Sequence, residues 1–180
     1  MQDRRRTAVG ALIAAHELVD ISGEPVPVPD PESLVHLQFR RYAGCPFCTL
    51  HLGSIVQRHD DIRAAGIREV AVFHSTAEDL RSYQPELPFP VVADPEKRLY
   101  REFGVGSSLR ALADPRAWVP AVRGIRRKPD PLSGDHRTGH LGRPADFLLA
   151  SDGRVLARKY GAHAYDQWTV DELLGLAASA

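Results

Sequence analysis

Residues 34 to 48 read LVHLQFRRYAGCPFC, and they contain the strongest indications of the fold. Its first part, Leu34–Phe39, is a mostly apolar run with the length of a buried β-strand. From Cys48 to about Ala65, apolar residues recur at helical spacing and predict a helix with one buried stripe. The two cysteines of the chain, Cys45 and Cys48, therefore lie where a strand gives way to a helix. A C-x-x-C unit in that position is typical of a redox site.

Composition and charge narrow the class of protein. The chain has 180 residues, of which 43% are hydrophobic and 26% charged, as expected for one globular domain spanning residues 1–180. Its 23 basic and 23 acidic side chains balance, so no overall field favours nucleic acid or an anionic membrane. No run approaches the ~18 apolar residues that a membrane helix needs. We expect a cytoplasmic protein, and in that compartment a close cysteine pair is more often catalytic or metal-binding than structural.

Strands and helices are predicted along the rest of the chain. Residues 12–28 are predicted to form an N-terminal β-hairpin, whose prolines suit an edge strand. A second buried strand is predicted over 68–74, and a second hairpin over 146–160, with Asp152-Gly153 at its turn. The pattern predicts an α/β fold with a central mixed sheet and helices on both faces. Residues 1–11 are expected to be disordered, and the proline-rich residues 107–143 to form an irregular insertion.

Two segments match the capping box that opens a helix, S/T-x-x-E. The first runs from Ser75 to Glu78 and predicts a short helix after the second buried strand. The second runs from Thr169 to Glu172 and predicts the last helix. In each, the hydroxyl of the first residue is expected to accept a hydrogen bond from the backbone of the fourth.

The position of the dithiol suggests unequal roles for its two sulfurs. Cys45 falls just before the first helical turn, where unpaired N–H groups and the helix dipole favour a thiolate. Pro46 suits that first turn because its missing N–H would have no partner there. Strand alternation lets at most one of Arg40 and Arg41 face the site. Cys48 belongs to the buried stripe, so we expect an accessible, ionised Cys45 to attack and a shielded Cys48 to resolve.

A metal site is the main structural alternative for the cysteine pair. Structural zinc takes about four ligands, and the chain has no second C-x-x-C. The nearby His36 and His51 do not stand at a recognised ligand spacing. We therefore predict no metal and no bound cofactor.

Three motifs resemble the thioredoxin superfamily, in particular its AhpC/TSA (peroxiredoxin-like) branch. Gly44–Cys48 resembles a C-P-x-C active-site turn. Residues 87–105, LPFPVVADPEKRLYREFGV, are similar to a peroxiredoxin-like stretch that plain thioredoxins lack. Pro144–Gly153 is similar to a segment of thiol-disulfide reductases that begins with a cis-proline beside the disulfide. The resemblance covers about Leu34 to Tyr160, apart from the 107–143 insertion.

The resemblance implies a thioredoxin-like fold and a thiol-dependent oxidoreductase. It places Pro144 in cis beside the dithiol, with the backbone of Arg143 presented to a substrate. Tyr42 and Phe47 flank the cysteines and are expected to shape access. Tyr42 stands where peroxiredoxins carry threonine or serine, three residues before the reactive Cys45, which is a departure from their peroxide site.

Three functions remain open from the sequence. The first is reduction of a protein or small-molecule disulfide, and the second is a thiol peroxidase in which Cys48 resolves a sulfenic acid on Cys45. The third is a non-enzymatic redox sensor. The expected partners are the disulfide or peroxide, an external reductant of the thioredoxin or glutathione type, and, as the resemblance allows, a second copy of the chain in a homodimer.

Overall fold

The structure is a computed structural model that describes residues 6–83, 87–106 and 142–180. The predictions for residues 107–141, which form most of the expected insertion, lie outside the described residues. The strands are β1 (His16–Val19), β2 (Pro25–Val28), β3 (Leu34–Phe39), β4 (Ile67–Phe73), β5 (Val91–Ala93), β6 (Ala145–Leu149) and β7 (Val155–Tyr160). The described helices are α1 (Pro46–Gln57), α2 (His59–Ala64), α3 (Ala77–Tyr83), α4 (Arg98–Glu102) and α5 (Val170–Ala177).

The predicted mixed sheet is confirmed as a five-stranded sheet in the order β5-β4-β3-β6-β7. β3 pairs with β4 in parallel and with β6 antiparallel, so the strand before the cysteines lies at the centre. The sheet is covered on both faces. One apolar cluster joins α1, α2, α3 and α5 to the sheet, and the other joins α4 and β2 to the opposite face. Central strands buried on both faces explain the nearly continuous apolar runs in the sequence.

The N-terminal residues cover both edges of the sheet. The predicted hairpin is confirmed as β1 and β2, and in the connection between them the N–H of Ile21 donates to the carbonyl of Val91, on β5, at 2.8 Å. On the other edge the N–H of Gly10 donates to the carbonyl of Val155 at 2.8 Å. The expected disorder is therefore wrong for residues 6–11, because pairing with β7 satisfies backbone groups on both segments. Residues 1–5 lie outside the described residues.

The two predicted capping boxes have different outcomes. The one at Thr169 is confirmed, with both reciprocal bonds to Glu172 formed. At α3 the prediction is wrong by one residue, since Thr76 is the capping residue and its hydroxyl accepts the N–H of Asp79 at 3.2 Å. The hydroxyl of Ser75 is occupied elsewhere, by the N–H of Ala43 at 2.9 Å.

None of the helices in the described ranges is both long and apolar enough to cross a bilayer.

Candidate active site

The dithiol lies at the turn that joins β3 to α1. The turn bends at Gly44, whose φ of 76° favours glycine, and Cys45 is the N-cap of α1 with Pro46 next to it. The carbonyl of Cys45 accepts the N–H of Thr49 at 3.0 Å, which fixes the first helical turn. The predicted location of Cys45 at the beginning of a helix is thus confirmed. Both are free cysteines.

Arg41 contacts both sulfurs. Its backbone N–H donates to Sγ of Cys48 at 3.4 Å, and its Nη1 donates to Sγ of Cys45 at 3.6 Å. The guanidinium carbon lies 5.2 Å from the ring centre of Tyr42 and 5.4 Å from that of Phe47, within the range of cation–π contacts. The prediction that at most one of Arg40 and Arg41 faces the site is confirmed, and the one that does is Arg41.

The two thiols differ in acidity. Burial alone raises the pKa of Cys45, but the hydrogen bond from the Cys48 thiol, the charge of Arg41 and the N–H groups of Cys48 and Phe47 outweigh it. Together they lower the pKa of Cys45 from 9.0 to about 6. Burial and the neighbouring Cys45 raise the pKa of Cys48 well above its usual range. At neutral pH the charge of the pair therefore resides on Cys45, which suits the predicted division of roles.

The expected accessibility of Cys45 is wrong, because Cys45 is 0% exposed and Cys48 is 1% exposed. Tyr42 is 6% exposed and Arg41 1% exposed, so the neighbours of the sulfur are themselves buried. A buried thiolate is costly unless it is paired and hydrogen-bonded, and Arg41 supplies both kinds of contact. A substrate can reach Cys45 only when the side chains around it move.

Pro144 and Arg143 lie at the same end of the sheet as the dithiol. Pro144 immediately precedes Ala145, which pairs with Phe39 at the end of β3. The predicted cis bond is wrong, since the cis peptide bond in the described residues precedes Pro29 and not Pro144. The chain continues from Pro144 into β6, and the carbonyl of Pro144 accepts the N–H of Gly161 at 2.9 Å. The N–H of Arg143 donates to the carbonyl of Gly106 at 3.3 Å.

A buried ionic network fills the face of the sheet beneath α1. Arg40 Nη2 bonds Oδ1 of Asp146 at 2.9 Å, and Arg40 Nε donates to Oε1 of Gln38 at 2.9 Å. His36 lies 2.8 Å from Glu69 through Nδ1 and 3.3 Å from Asp146 through Nε2. Gln38 also donates to Glu69. All five side chains are at most 1% exposed.

The network holds His36 and Asp146 charged. Burial alone lowers the pKa of His36, but Glu69 and Asp146 raise it from 6.5 to about 9. Burial alone raises the pKa of Asp146, but Arg40 and His36 bring it well below its usual range. Neighbouring His51, on α1, behaves in the opposite way, because burial and the charge of Arg40 lower its pKa well below 6.5. His51 is therefore neutral at physiological pH.

Our sequence prediction missed this network and the role of Ser75. One available pattern was the period-two recurrence of polar residues at 36, 38 and 40 in an apolar strand, which places them on one face. Within the described residues, no three His, Cys, Asp or Glu side chains are grouped so as to hold a metal ion.

The fold and the dithiol at a strand–helix junction define a thioredoxin-like protein with a candidate redox site. The family model described as AhpC/TSA antioxidant enzyme matches residues 54–163, which is more than half of the chain. The chain belongs to this family, whose general class is that of thiol-dependent oxidoreductases and peroxidases. The match begins at Ser54, after both cysteines, so the residues that show the family membership do not include the dithiol.

Solved structures show the same fold. Peroxidoxin BcpB from Mycobacterium tuberculosis is 17% identical with a TM-score of 0.66, over 95% of this chain and 96% of that one. A mutant of peroxiredoxin 6 of Arenicola marina is 16% identical with a TM-score of 0.70, over 96% and 73%. A protein described as the thiol:disulfide interchange protein DsbE from Chlorobium tepidum is 19% identical with a TM-score of 0.61, over 94% and 98%. Comparison with curated protein sequences gives no match.

Proposed function

We propose that the protein is a thiol–disulfide oxidoreductase in which Cys45 is the nucleophile and Cys48 the resolving thiol. The observation that carries the proposal is the contact of Arg41 with both sulfurs, by its guanidinium to Cys45 and by its backbone to Cys48. The opposite pKa shifts of the two thiols support the assignment of roles. A nucleophile is most useful when its pKa lies near ambient pH.

The reaction transfers two electrons from the dithiol to a disulfide. The thiolate of Cys45 attacks one substrate sulfur, forms a mixed disulfide and releases the other substrate sulfur as a thiolate. Cys48 then loses its proton and attacks Sγ of Cys45, which closes the intramolecular disulfide and releases the second substrate thiolate. An external thiol reductant of the thioredoxin or glutathione type restores both thiols. No step needs a bound cofactor.

We place the substrate against the side chains that enclose Cys45. Tyr42 and Phe47 contact the Arg41 guanidinium beside Cys45, Pro46 follows Cys45 in the chain, and Arg143 and Pro144 lie at the same end of the sheet. The N–H of Arg143 already donates to the carbonyl of Gly106, so we do not expect a substrate to pair with that N–H as an added strand. The side chain of Arg143 has a buried Nε without a partner among the described residues, and it suits a carboxylate on the substrate.

Peroxide reduction is the second candidate. Arg41 donates to the sulfur that would be oxidised, and the family is described as antioxidant. In that reaction Cys45 attacks a peroxide oxygen, becomes a sulfenic acid and releases water or an alcohol after protonation. Cys48 then displaces water from the sulfenic sulfur to form the same disulfide.

Stopped-flow mixing of the reduced protein with oxidised glutathione or with hydrogen peroxide separates the candidates. The wild type, Cys45→Ser and Cys48→Ser are compared at pH 7, with adducts located by mass spectrometry. Our proposal predicts fast exchange with the disulfide, none in Cys45→Ser, and a mixed disulfide held on residue 45 in Cys48→Ser. Fast peroxide consumption with a sulfenic acid on Cys45 would favour the peroxidase instead.

Two further results would contradict both enzymatic candidates. Slow reaction with disulfide and with peroxide would favour the redox sensor, especially if the intramolecular disulfide still forms on slow air oxidation. A mixed disulfide that accumulates on Cys48 in Cys45→Ser, at the wild-type rate, would show that the two roles are reversed.

A further inference from the structure

The turn that carries Arg41 is held from one side by the end of β4. The N–H of Arg40 donates to the carbonyl of Val72 at 2.8 Å, which extends the strand pairing beyond Phe39. The N–H of His74 donates to the carbonyl of Arg41 at 3.3 Å. Two consecutive residues of the turn, Arg40 and Arg41, are therefore hydrogen-bonded to the end of β4 and to the residue that follows it.

Ser75 holds the same turn at a later residue, Ala43. Its hydroxyl accepts the N–H of Ala43 at 2.9 Å, and both residues are 0% exposed. The sequence pattern assigns this hydroxyl to the N-cap of α3, but Thr76 takes that task. Ser75 is thus released from the helix to satisfy a buried N–H in the turn between Arg41 and Cys45. Loss of that acceptor would leave the N–H of Ala43 buried and unpaired.

Tyr100, on α4, ties the same turn. Its one hydroxyl proton is shared between the carbonyls of Arg40 and Val72, the latter at 2.9 Å. The ring is fixed by edge contacts with Phe39 at 5.0 Å and with His74 at 5.6 Å between centroids. Tyr100 belongs to α4, so this contact connects the turn to a helix that contains neither cysteine.

We propose that Ser75 and Tyr100 are positioning residues that hold the Arg41 turn against the dithiol. Neither residue contacts the substrate in this proposal, and both act through the backbone of residues 40–43. The inference rests on the proposed function only in taking Cys45 as the reactive thiol.

Geometry makes the position of Arg41 critical. The bond from its Nη1 to Sγ of Cys45 is already 3.6 Å long, near the limit for a hydrogen bond to sulfur. A displacement of the turn by about 1 Å would break it, because hydrogen bonds weaken steeply with distance and angle. The charge of Arg41 is also one of the factors that lower the pKa of Cys45. A looser turn is therefore expected to make Cys45 less acidic.

The test measures the pKa of Cys45 from the pH dependence of alkylation by iodoacetamide, with modification at residue 45 followed by mass spectrometry. The variants are Ser75→Ala and Tyr100→Phe, each of which removes one hydroxyl. Thr76→Ala is the matched control, since it removes the neighbouring hydroxyl that caps α3. Ser75→Thr keeps the hydroxyl and is the rescue variant. Urea unfolding of each variant gives its stability.

We expect both Ser75→Ala and Tyr100→Phe to raise the pKa of Cys45 by about one unit, which lowers its alkylation rate at pH 6 about fivefold. Thr76→Ala is expected to lose stability without a change in that pKa, and Ser75→Thr to restore the wild-type value. The proposal is overturned if both hydroxyl deletions destabilise the protein while the pKa of Cys45 stays at its wild-type value, or if Thr76→Ala shifts that pKa equally. An ordinary pKa for Cys45 in the wild type would instead contradict the proposed function itself.

Discussion

Arg40 and Arg41 are consecutive, and both are almost completely buried, at 0% and 1% exposure. Their side chains nevertheless enter different regions. Arg40 lies on the α1 face of the sheet, where it bonds Asp146 and Gln38. Arg41 begins the turn after β3 and donates to the sulfurs of Cys45 and Cys48.

The two regions differ in whether the group beside the arginine changes its charge near physiological pH. The carboxylate of Asp146 is ionised at any physiological pH, so the pair with Arg40 is a permanent structural element. The thiol of Cys45 ionises near pH 6, so the charge of Arg41 favours one protonation state of a reactive group. The same residue type therefore pairs with a permanent charge at one position and, in our proposal, tunes the reactive thiol at the next.

The largest effect on stability is expected from removing one partner of the Arg40 pair. Arg40→Met leaves Asp146 in the core with His36 as its remaining cationic partner. We expect the free energy of unfolding in urea to fall by about 3–5 kcal/mol, as for other broken buried ion pairs. The pKa of Cys45, measured by alkylation, should stay near 6.

The double variant Arg40→Met with Asp146→Leu is the control for that prediction. Removal of both charges should recover part of the lost stability, because no unpaired carboxylate then remains buried. A loss in the double variant equal to the sum of the losses in Arg40→Met and in Asp146→Leu would show that Arg40 and Asp146 are not coupled.

The next effect is a pH dependence with opposite signs in the two regions. The raised pKa of His36 gives stability that is complete below pH 6.5 and is lost as pH rises through about 9. The lowered pKa of Cys45 gives stability that is complete above pH 9 and is lost as pH falls through about 6. Each contribution amounts to about 3–4 kcal/mol at most, so their opposite changes with pH largely cancel and the stability of the reduced wild type varies little between pH 6.5 and 9.

Urea unfolding of reduced variants from pH 6 to 9 separates the two contributions. Cys45→Ser should lose stability steadily as pH rises, because the His36 contribution then stands alone. His36→Gln should gain stability over the same range. If both variants follow the wild-type curve, the assignment of these two groups is incorrect.

A smaller effect is expected from Arg41→Met, and it should appear in reactivity. Without the guanidinium, the pKa of Cys45 should rise toward its ordinary value. We expect alkylation of Cys45 at pH 6.5 to slow by about tenfold or more, equivalent to roughly 1.4 kcal/mol or more. Arg41→Lys keeps the charge and should show an intermediate rate, whereas equal rates for both variants would argue against an electrostatic role.

The smallest effect is expected at a third arginine, which is exposed. Arg58 bonds Asp61 at 2.8 Å and Asp171 at 2.5 Å, but its side chain is 40% exposed. Solvent screens such pairs, so Arg58→Ala should change neither the urea midpoint nor the pKa of Cys45 measurably. A large loss of stability would show that burial is not what distinguishes Arg40 from Arg58.

Local patterns in the sequence were sufficient for most of the fold. The strand Leu34–Phe39, the proline at the beginning of α1 and the Asp152-Gly153 turn each depend on neighbours in the chain, and each is confirmed. The capping box at Thr169 is confirmed for the same reason. Such features are decided within a few residues, where propensity and hydrogen-bonding chemistry act directly.

The features that were missed depend on contacts between distant parts of the chain. Ser75 has a capping sequence around it, but a buried N–H at Ala43, 32 residues earlier, claims its hydroxyl. Arg40 finds Asp146 across 106 residues of sequence. The burial of Cys45 likewise depends on which side chains pack over the turn. The period-two pattern places Arg40 on one face of β3, but no local pattern specifies these distant partners, because the contacts form only when the sheet assembles.

The decisive measurement is the pKa of Cys45 in the reduced wild type. It is measured by the rate of iodoacetamide alkylation at residue 45 between pH 4 and pH 10, with each cysteine followed separately by mass spectrometry. Our account predicts a transition at about pH 6 for Cys45, and no transition for Cys48 at or below its usual pKa of 9.0. A transition for Cys45 near pH 9, or a Cys48 that reacts first, would contradict it.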